Sequence, residues 1–251
     1  VPVKIYRELD STNRAAKEAA FSGEAGHGAL ILARRQKSGR GRRGRSFYSP
    51  ENAGLYMSIV LRPDRTLKEG LLITTAAATA VCRAVKKICR IDLGIKWVND
   101  LYLHDRKVCG ILTEAVTDFE SGNIEFAVVG IGLNLYVPED GFPEEIQETA
   151  GALFGSREAA EHVNCSILVA EIANQLLMEV ETPGLSREYT ENNIIPGNMI
   201  VIADGARTRE AYAEAIAPDG RLVVREQDGS ETLLSYGEVS VRRKPDEDQS
   251  K

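Results

Sequence analysis

Gly39 to Arg45 reads Gly-Arg-Gly-Arg-Arg-Gly-Arg, and with Arg34, Arg35 and Lys37 it puts seven cations among twelve residues of a chain whose formal net charge is -6. Four arginines supply planar, permanently charged donors suited to carboxylates and phosphates. Three glycines supply backbone that can take positive φ and come close to a ligand. Nothing apolar in the stretch holds it down, so the sequence predicts a loop that is mobile when empty and orders around an anion.

Other readings of this loop are weaker. Gly39, Gly41 and Gly44 match G-x-G-x-x-G, the mark of a dinucleotide site. A strand-like run, Ala29 to Ala33, does precede them, but Ser46-Phe47-Tyr48-Ser49-Pro50 and a second strand-like run follow. The helix N-terminus that would hold a pyrophosphate is missing. A nucleic-acid patch fits poorly with a pI near 5.3 and the lack of a second basic run. A merely solvated basic loop is the bland reading, and it is weakened by how costly so much glycine and arginine between two strands is to order.

Three more stretches carry chemistry. Ser11-Thr12-Asn13 opens an alanine-rich helix: either hydroxyl reads as an N-cap, and the cluster can also offer hydroxyls and an amide to a polar ligand. Gln36 stands at the mouth of the arginine loop. Lys96 leads Ile95-Lys96-Trp97-Val98-Asn99-Asp100-Leu101, where a lysine facing inward must find an anion and one on an edge faces water. Gly130 and Gly132 thin one face of an apolar strand, leaving room for something flat; a bulge or close helix packing is the plainer account.

Positioning these residues takes strands at Val3 to Leu9, Gly28 to Arg35, Gly54 to Leu61, Val108 to Val116 and Ile124 to Tyr136. It also takes helices ending near Phe21, from Leu67 to about Cys89, and over Ser166 to Val180. A hairpin turn falls at Asp105-Arg106-Lys107. From Met199 to Val241, short strands broken by Asp204-Gly205, Asp219-Gly220 and Asp228-Gly229 predict a small β-barrel-like module leaning on the larger domain. The charged tail from Lys244 to Lys251 is expected to be disordered.

At 251 residues, 43% hydrophobic and 27% charged, the chain can bury a full core. No apolar run is long enough for a membrane span. Cys82, Cys89, Cys109 and Cys165 form no C-x-x-C pair, which points to a reducing cytosol. The three histidines lack metal-ligand spacing, and G-x-S-x-G and Walker A sequences are missing.

Ser11-Thr12-Asn13, Gln36, Gly39 to Arg45, Lys96-Trp97-Val98-Asn99-Asp100 and Gly130-Ile131-Gly132-Leu133-Asn134, in this order and at these intervals, resemble the motifs of bacterial biotin–protein ligases. The resemblance covers nearly the whole chain. It implies an α+β protein: a mixed β-sheet catalytic domain with packed helices over residues 1–192, an SH3-like β-barrel over 193–243, and a tail over 244–251. It implies that biotin attacks MgATP to give biotinyl-5′-AMP and pyrophosphate, and that a lysine of a biotin carboxyl carrier domain then takes the biotin and releases AMP.

Carried over by position, Lys96 and Arg42 are the catalytic candidates. Ser11, Thr12, Asn13, Gln36, Arg40, Gly41, Arg42, Lys96 and Gly132 are assigned to biotin. Arg40, Arg42, Arg43, Arg45, Phe47, Lys96, Asn99, Lys107 and Asn134 are assigned to ATP and the adenylate. The resemblance implies Mg2+ without naming ligands, a cytoplasmic location, no DNA and no membrane partner, and it allows a homodimer. The chain begins in the first catalytic-domain strand, so the expectation is a ligase without the helix-turn-helix repressor module some members carry. Two positions depart from the family: Val98 stands where proline is usual and Phe47 where tryptophan is frequent. The alternatives are a lipoate–protein ligase or octanoyltransferase, and a non-catalytic biotin or nucleotide sensor.

Overall fold

In a computed structural model describing residues 2–118, 120–204, 207–235 and 240–243, β1 (Val3–Leu9) runs parallel to β2 (Leu30–Gln36), and α1 (Thr12–Phe21) makes the crossover a parallel pair requires. β3 (Gly54–Leu61) turns back antiparallel to β2, as two strands flanking a loop would. α2 (Gly70–Cys89) follows a 3-10 turn at Leu67–Glu69. Then come β4 (Gly94–Lys96), β5 (Asp100–Leu103), β6 (Arg106–Thr117) and β7 (Ile124–Asn134). Among the described residues these form a seven-stranded mixed sheet in the order β1-β2-β3-β7-β6-β5-β4.

The sheet is covered unevenly. On β3, Met57, Ile59 and Leu61 join the main core with α2 and α3 (Cys165–Glu181), whereas Val60 joins Ile31, Phe126 and Val128 beneath Ala16 and Ala20 of α1. Alternate residues of a strand point to opposite faces, so an unbroken apolar run is what a two-sided core requires. α1 is short and covers only part of its face. The uncovered remainder of that face holds the candidate site.

The sequence reads Ile95 to Leu101 as one strand-like segment. The chain instead makes a tight β4–β5 hairpin, with Lys96 opposite Asp100. Trp97, Val98 and Asn99 are apolar or buried because the turn itself is buried, so apolarity here reports depth and not extension. Two of its carbonyls are satisfied: the Tyr189 hydroxyl, from α4 (Arg187–Glu191), donates to Val98 O, and the Ile111 N–H donates to Asn99 O. The outer edge of β4 is closed by the Asn192–Ile194 segment through Ile95 N–H to Asn192 O and Ile194 N–H to Ile95 O.

Beyond residue 197, β8 (Asn198–Asp204), β9 (Arg207–Ile216), β10 (Leu222–Arg225), β11 (Glu231–Leu234) and β12 (Ser240–Arg243) form a five-stranded antiparallel sheet in the order β11-β10-β9-β8-β12. This is the small β module expected after the mixed sheet. It does lean on the larger part: Ile200, Ile202, Leu222 and Val224 belong to the main core, and the Trp97 indole N–H donates to Gly220 O at 2.9 Å. The Asp204-Gly205 turn reaches past the described residues, and the 244–251 tail lies outside them. No helix among the described residues is long and apolar enough to cross a membrane. The four cysteines are free.

Candidate active site

Across the uncovered face, Gly110 of β6 pairs with Gly132 of β7, and Gly130 lies between Ser58 of β3 and Leu112 of β6. Flat groups do lie on these glycines, and they come from the chain itself. A Cβ at Gly130 would stand 1.9 Å from Asn13 Oδ1. A Cβ at Gly132 would stand 2.5 Å from Phe47 Cε1, and one at Gly110 3.2 Å from Phe47 Cε2. The register is regular at all three, so they are not bulge glycines.

The start of α1 sets the polar end of the site. Ser11 is the N-cap, but neither it nor Thr12 makes the expected capping bond. The Thr12 side chain is turned to its neighbours instead. Gln36 Oε1 accepts from the Thr12 N–H at 2.9 Å, and Gln36 Nε2 donates to Ser49 Oγ, also at 2.9 Å. Asn13 Nδ2 donates to Leu112 O at 3.2 Å and to Glu114 Oε2 at 3.0 Å. Ser58 Oγ stands 2.7 Å from Asn13 Oδ1 and 2.8 Å from Thr12 Oγ1.

Counting protons fixes the polarity of this cluster. Both Asn13 amide hydrogens are committed, to two groups that only accept. The Thr12 hydroxyl donates to Gln36 Oε1 at 3.1 Å, so the single Ser58 proton is shared between Thr12 Oγ1 and Asn13 Oδ1, and Asn13 Oδ1 keeps at least one lone pair. Gln36 is the converse: its oxygen is used by Thr12, and one Nε2 hydrogen remains. The cradle thus offers a ligand one acceptor, at Asn13, and one donor, at Gln36.

The arginine stretch folds into a small hairpin. Gly41 N–H donates to Arg45 O at 2.7 Å and Phe47 N–H to Gly39 O at 2.8 Å, closing a 3-10 turn at Arg42–Gly44 with Arg43 at φ 55°. A Cβ at Gly39 would lie 2.3 Å from Phe47 O, so glycine is needed there for close approach. The expectation that nothing apolar holds this loop is corrected: the Phe47 ring, packed on Gly132, anchors its end. Side chains anchor it too. Arg42 Nη1 donates to Asn99 Oδ1 at 3.0 Å, and Asn99 is itself oriented by Nδ2 donating to Ile111 O at 2.8 Å. Arg40 Nη1 lies 3.6 Å from Glu114 Oε1.

Opposite the loop, Lys96 is half-buried with Nζ 5.4 Å from the Tyr102 ring centroid. Burial, aided by the Asp100 carboxylate, pushes the Tyr102 phenol up to about 12, so the ring beneath the ammonium stays neutral. Lys107 Nζ pairs with Asp100 Oδ1 at 2.7 Å. Lys96 stands on an edge strand and yet faces the cavity, which joins the two readings open in the sequence.

These groups enclose a cavity of about 160 Å³. Ser11, Thr12, Asn13, Gln36, Arg40, Gly41, Arg42, Arg43, Arg45, Phe47, Lys96, Asn99, Lys107 and Gly132 all line it. Asn134 does not. It is buried at the end of β7, where its Nδ2 donates to Gly151 O at 2.8 Å and fastens the following segment. Glu114, Asp100, Ser49 and Ser58 escaped the sequence reading as site residues. For Glu114 a signal exists: Gly110, Leu112 and Glu114 share one face of β6 with the thinned glycines.

The result is an α+β protein with a glycine-floored cavity ringed by cations, beside a polar cradle on the open face of a mixed sheet, a place whose charge suits an anionic group. The family model described as "Biotin/lipoate A/B protein ligase family" matches residues 5–134, and the chain belongs to that family. A relative from Bacillus subtilis (strain 168), named bifunctional ligase/repressor BirA, is 35% identical over 67% of this chain and 50% of its own length. The Salmonella typhimurium protein of the same name is 30% identical over 96% of this chain and 74% of its own. The chain thus spans about half the length of the Bacillus relatives it matches. Among solved structures, a biotin protein ligase from Aquifex aeolicus in complex with biotin and ATP superposes with a TM-score of 0.79 at 24% identity, covering 97% of this chain and 99% of that one. That likeness extends the shared fold over both sheets.

Proposed function

We propose that this protein is an ATP-dependent biotin–protein ligase, with residues 1–192 as the catalytic domain and 193–243 as an accessory β domain. The observation that carries the substrate is the polarity of the cradle. An acceptor at Asn13 and a donor at Gln36 complement a ureido group, which has N–H beside C=O. A dithiolane or plain acyl chain offers no N–H and would leave Asn13 Oδ1 unmatched. Relatives named biotin–[acetyl-CoA-carboxylase] ligase, from Mycobacterium tuberculosis and Paracoccus denitrificans, support the same reading.

In the first step the biotin carboxylate attacks the α-phosphorus of ATP, forming a C–O–P bond as pyrophosphate departs. Bringing carboxylate and phosphate together costs about 4 kcal/mol per close pair of like charges at an effective dielectric near 20. Lys96, Arg40 and Arg42 oppose that cost and stabilise charge as it shifts to pyrophosphate. In the second step the amine of an acceptor lysine, on a biotin carboxyl carrier domain, attacks the acyl carbon. An amide forms and AMP leaves. The arginine hairpin keeps water from the mixed anhydride in between.

Magnesium belongs to the substrate, MgATP. Its ligands come chiefly from the phosphates and water, with at most one or two carboxylates from the protein. Four free cysteines suit a cytoplasmic setting.

The test is biotin-dependent exchange of labelled pyrophosphate into ATP, with lipoate and octanoate run alongside. Exchange with biotin alone is expected. Exchange confined to lipoate or octanoate would move the protein to the other branch of its family, and no exchange with any acid would end the catalytic reading.

A further inference from the structure

Glu114 stands at the junction of two parts of the site that are far apart in sequence. Its Oε2 accepts from Asn13 Nδ2, and its Oε1 faces Arg40 Nη1 of the hairpin. Its side chain is only 22% exposed, whereas that of Arg40 is 57% exposed. An ion pair so open to water adds little stability. The Asn13 bond is charge-assisted and shielded, and with Leu112 O it leaves Asn13 only a lone pair to offer a ligand. One carboxylate therefore sets the polarity of the head-group cradle with one oxygen and meets the hairpin through a weak, water-open pair with the other.

We propose that Glu114 is a positioning residue that couples occupation of the cradle to closure of the arginine hairpin. A ligand N–H bound at Asn13 Oδ1 steadies the carboxamide, which steadies Glu114 and with it the site where Arg40 docks. The inference rests on the biotin reading above. It adds that recognition of the ligand head is relayed to the loop through this side chain and not only through direct contact between loop and ligand.

Two replacements separate the two oxygens. Glu114→Gln keeps an acceptor for Asn13 but removes the charge that Arg40 faces. Glu114→Ala removes both. The readouts are biotin affinity by calorimetry and tryptic cleavage within Arg40 to Arg45, with and without biotin. Urea unfolding confirms that each variant folds.

In the parent, biotin should slow loop cleavage. In Glu114→Gln the protection by biotin should fall by about twofold to threefold, the scale of an exposed pair, and the biotin Kd should rise by the same factor, because the coupling is reciprocal. In Glu114→Ala the Kd should also rise by about tenfold or more, the usual effect of losing a hydrogen bond to a charged group. Adding Arg40→Gln to Glu114→Gln should change protection no further, since both remove one contact. Full protection in Glu114→Gln, or multiplying effects in the double variant, would overturn the coupling while leaving biotin binding intact. A parent that binds no biotin would overturn the substrate reading and this inference together.

Discussion

The carboxamide of Asn13 fills the space that a side chain at Gly130 would take, with Oδ1 1.9 Å from where that Cβ would be. One residue is on a helix start and the other on a central strand, 117 positions apart in sequence by subtraction of their numbers. The glycine is there for the asparagine.

Gly130→Ala should therefore act as a binding mutation. The added methyl cannot be accommodated without moving Asn13 off Ser58, Leu112 and Glu114. Biotin affinity should fall about tenfold to a hundredfold, the range expected when polar partners in a site are lost or misaligned. Calorimetric titration reads this, and an unchanged Kd would show that the cradle does not depend on Asn13.

Gly132→Ala should act on the hairpin instead. The clash is with Phe47 ring atoms at the end of a side chain, which can swing away without disturbing the sheet. Tryptic cleavage between Arg40 and Arg45 should speed up severalfold in the empty protein, with little change in the urea midpoint. Phe47→Ala should do the same. If neither variant opens the loop, the ring is not its anchor.

The central strands and long helices were readable because burial on two faces leaves apolar runs that few other arrangements produce, as at Gly54 to Leu61. The residues around the cavity were readable for a different reason: arginine, glycine and lysine were concentrated where ordinary packing has no use for them. The β4–β5 hairpin was hidden because Trp97 and Val98 are buried in a turn, so their apolarity resembled a strand. Glu114 was hidden because a single acidic residue in a strand reads as a solvent-facing position. Its meaning depends on Asn13 and Arg40, which only the folded chain brings to it. Asn134 shows the reverse, a motif residue whose side chain ties down backbone outside the cavity.

Lys96→Ala should cut biotin-dependent pyrophosphate exchange by about a hundredfold or more, as expected for removing a charge aimed at the transition state, while leaving biotin affinity much less affected. Arg42→Gly removes the bond to Asn99 and should loosen the closed hairpin. Exchange should slow, since Arg42 also opposes the charge of the departing pyrophosphate, and the biotinyl-5′-AMP that does form should escape and label lysines of an unrelated protein such as serum albumin. Labelling restricted to the carrier domain would mean that the hairpin does not retain the adenylate.

Trp97→Phe keeps most of the buried ring but leaves Gly220 O without its donor. The cost should be about 1–3 kcal/mol, the penalty for stranding a buried carbonyl. Urea unfolding measures it. Because Trp97 follows Lys96, the kcat of exchange should fall more than the KM for biotin rises. An unchanged kcat would mean that the β module does not help to hold Lys96.

Stability should also fall in alkaline solution, for reasons unrelated to the site. Burial pushes the Cys82 thiol on α2 up from 9.0 to about 12. Raising the folded-state value means that the unfolded chain releases its proton first. The stabilisation is therefore fully present below pH 9 and is lost as pH climbs from there toward about 12. The urea midpoint should be flat across neutral pH and decline above 9. Cys82→Ala should lower the midpoint at neutral pH, because it leaves a small cavity, but should make the alkaline decline shallower. An equally steep decline in Cys82→Ala would show that other groups, such as the Tyr102 phenol, set the alkaline limit.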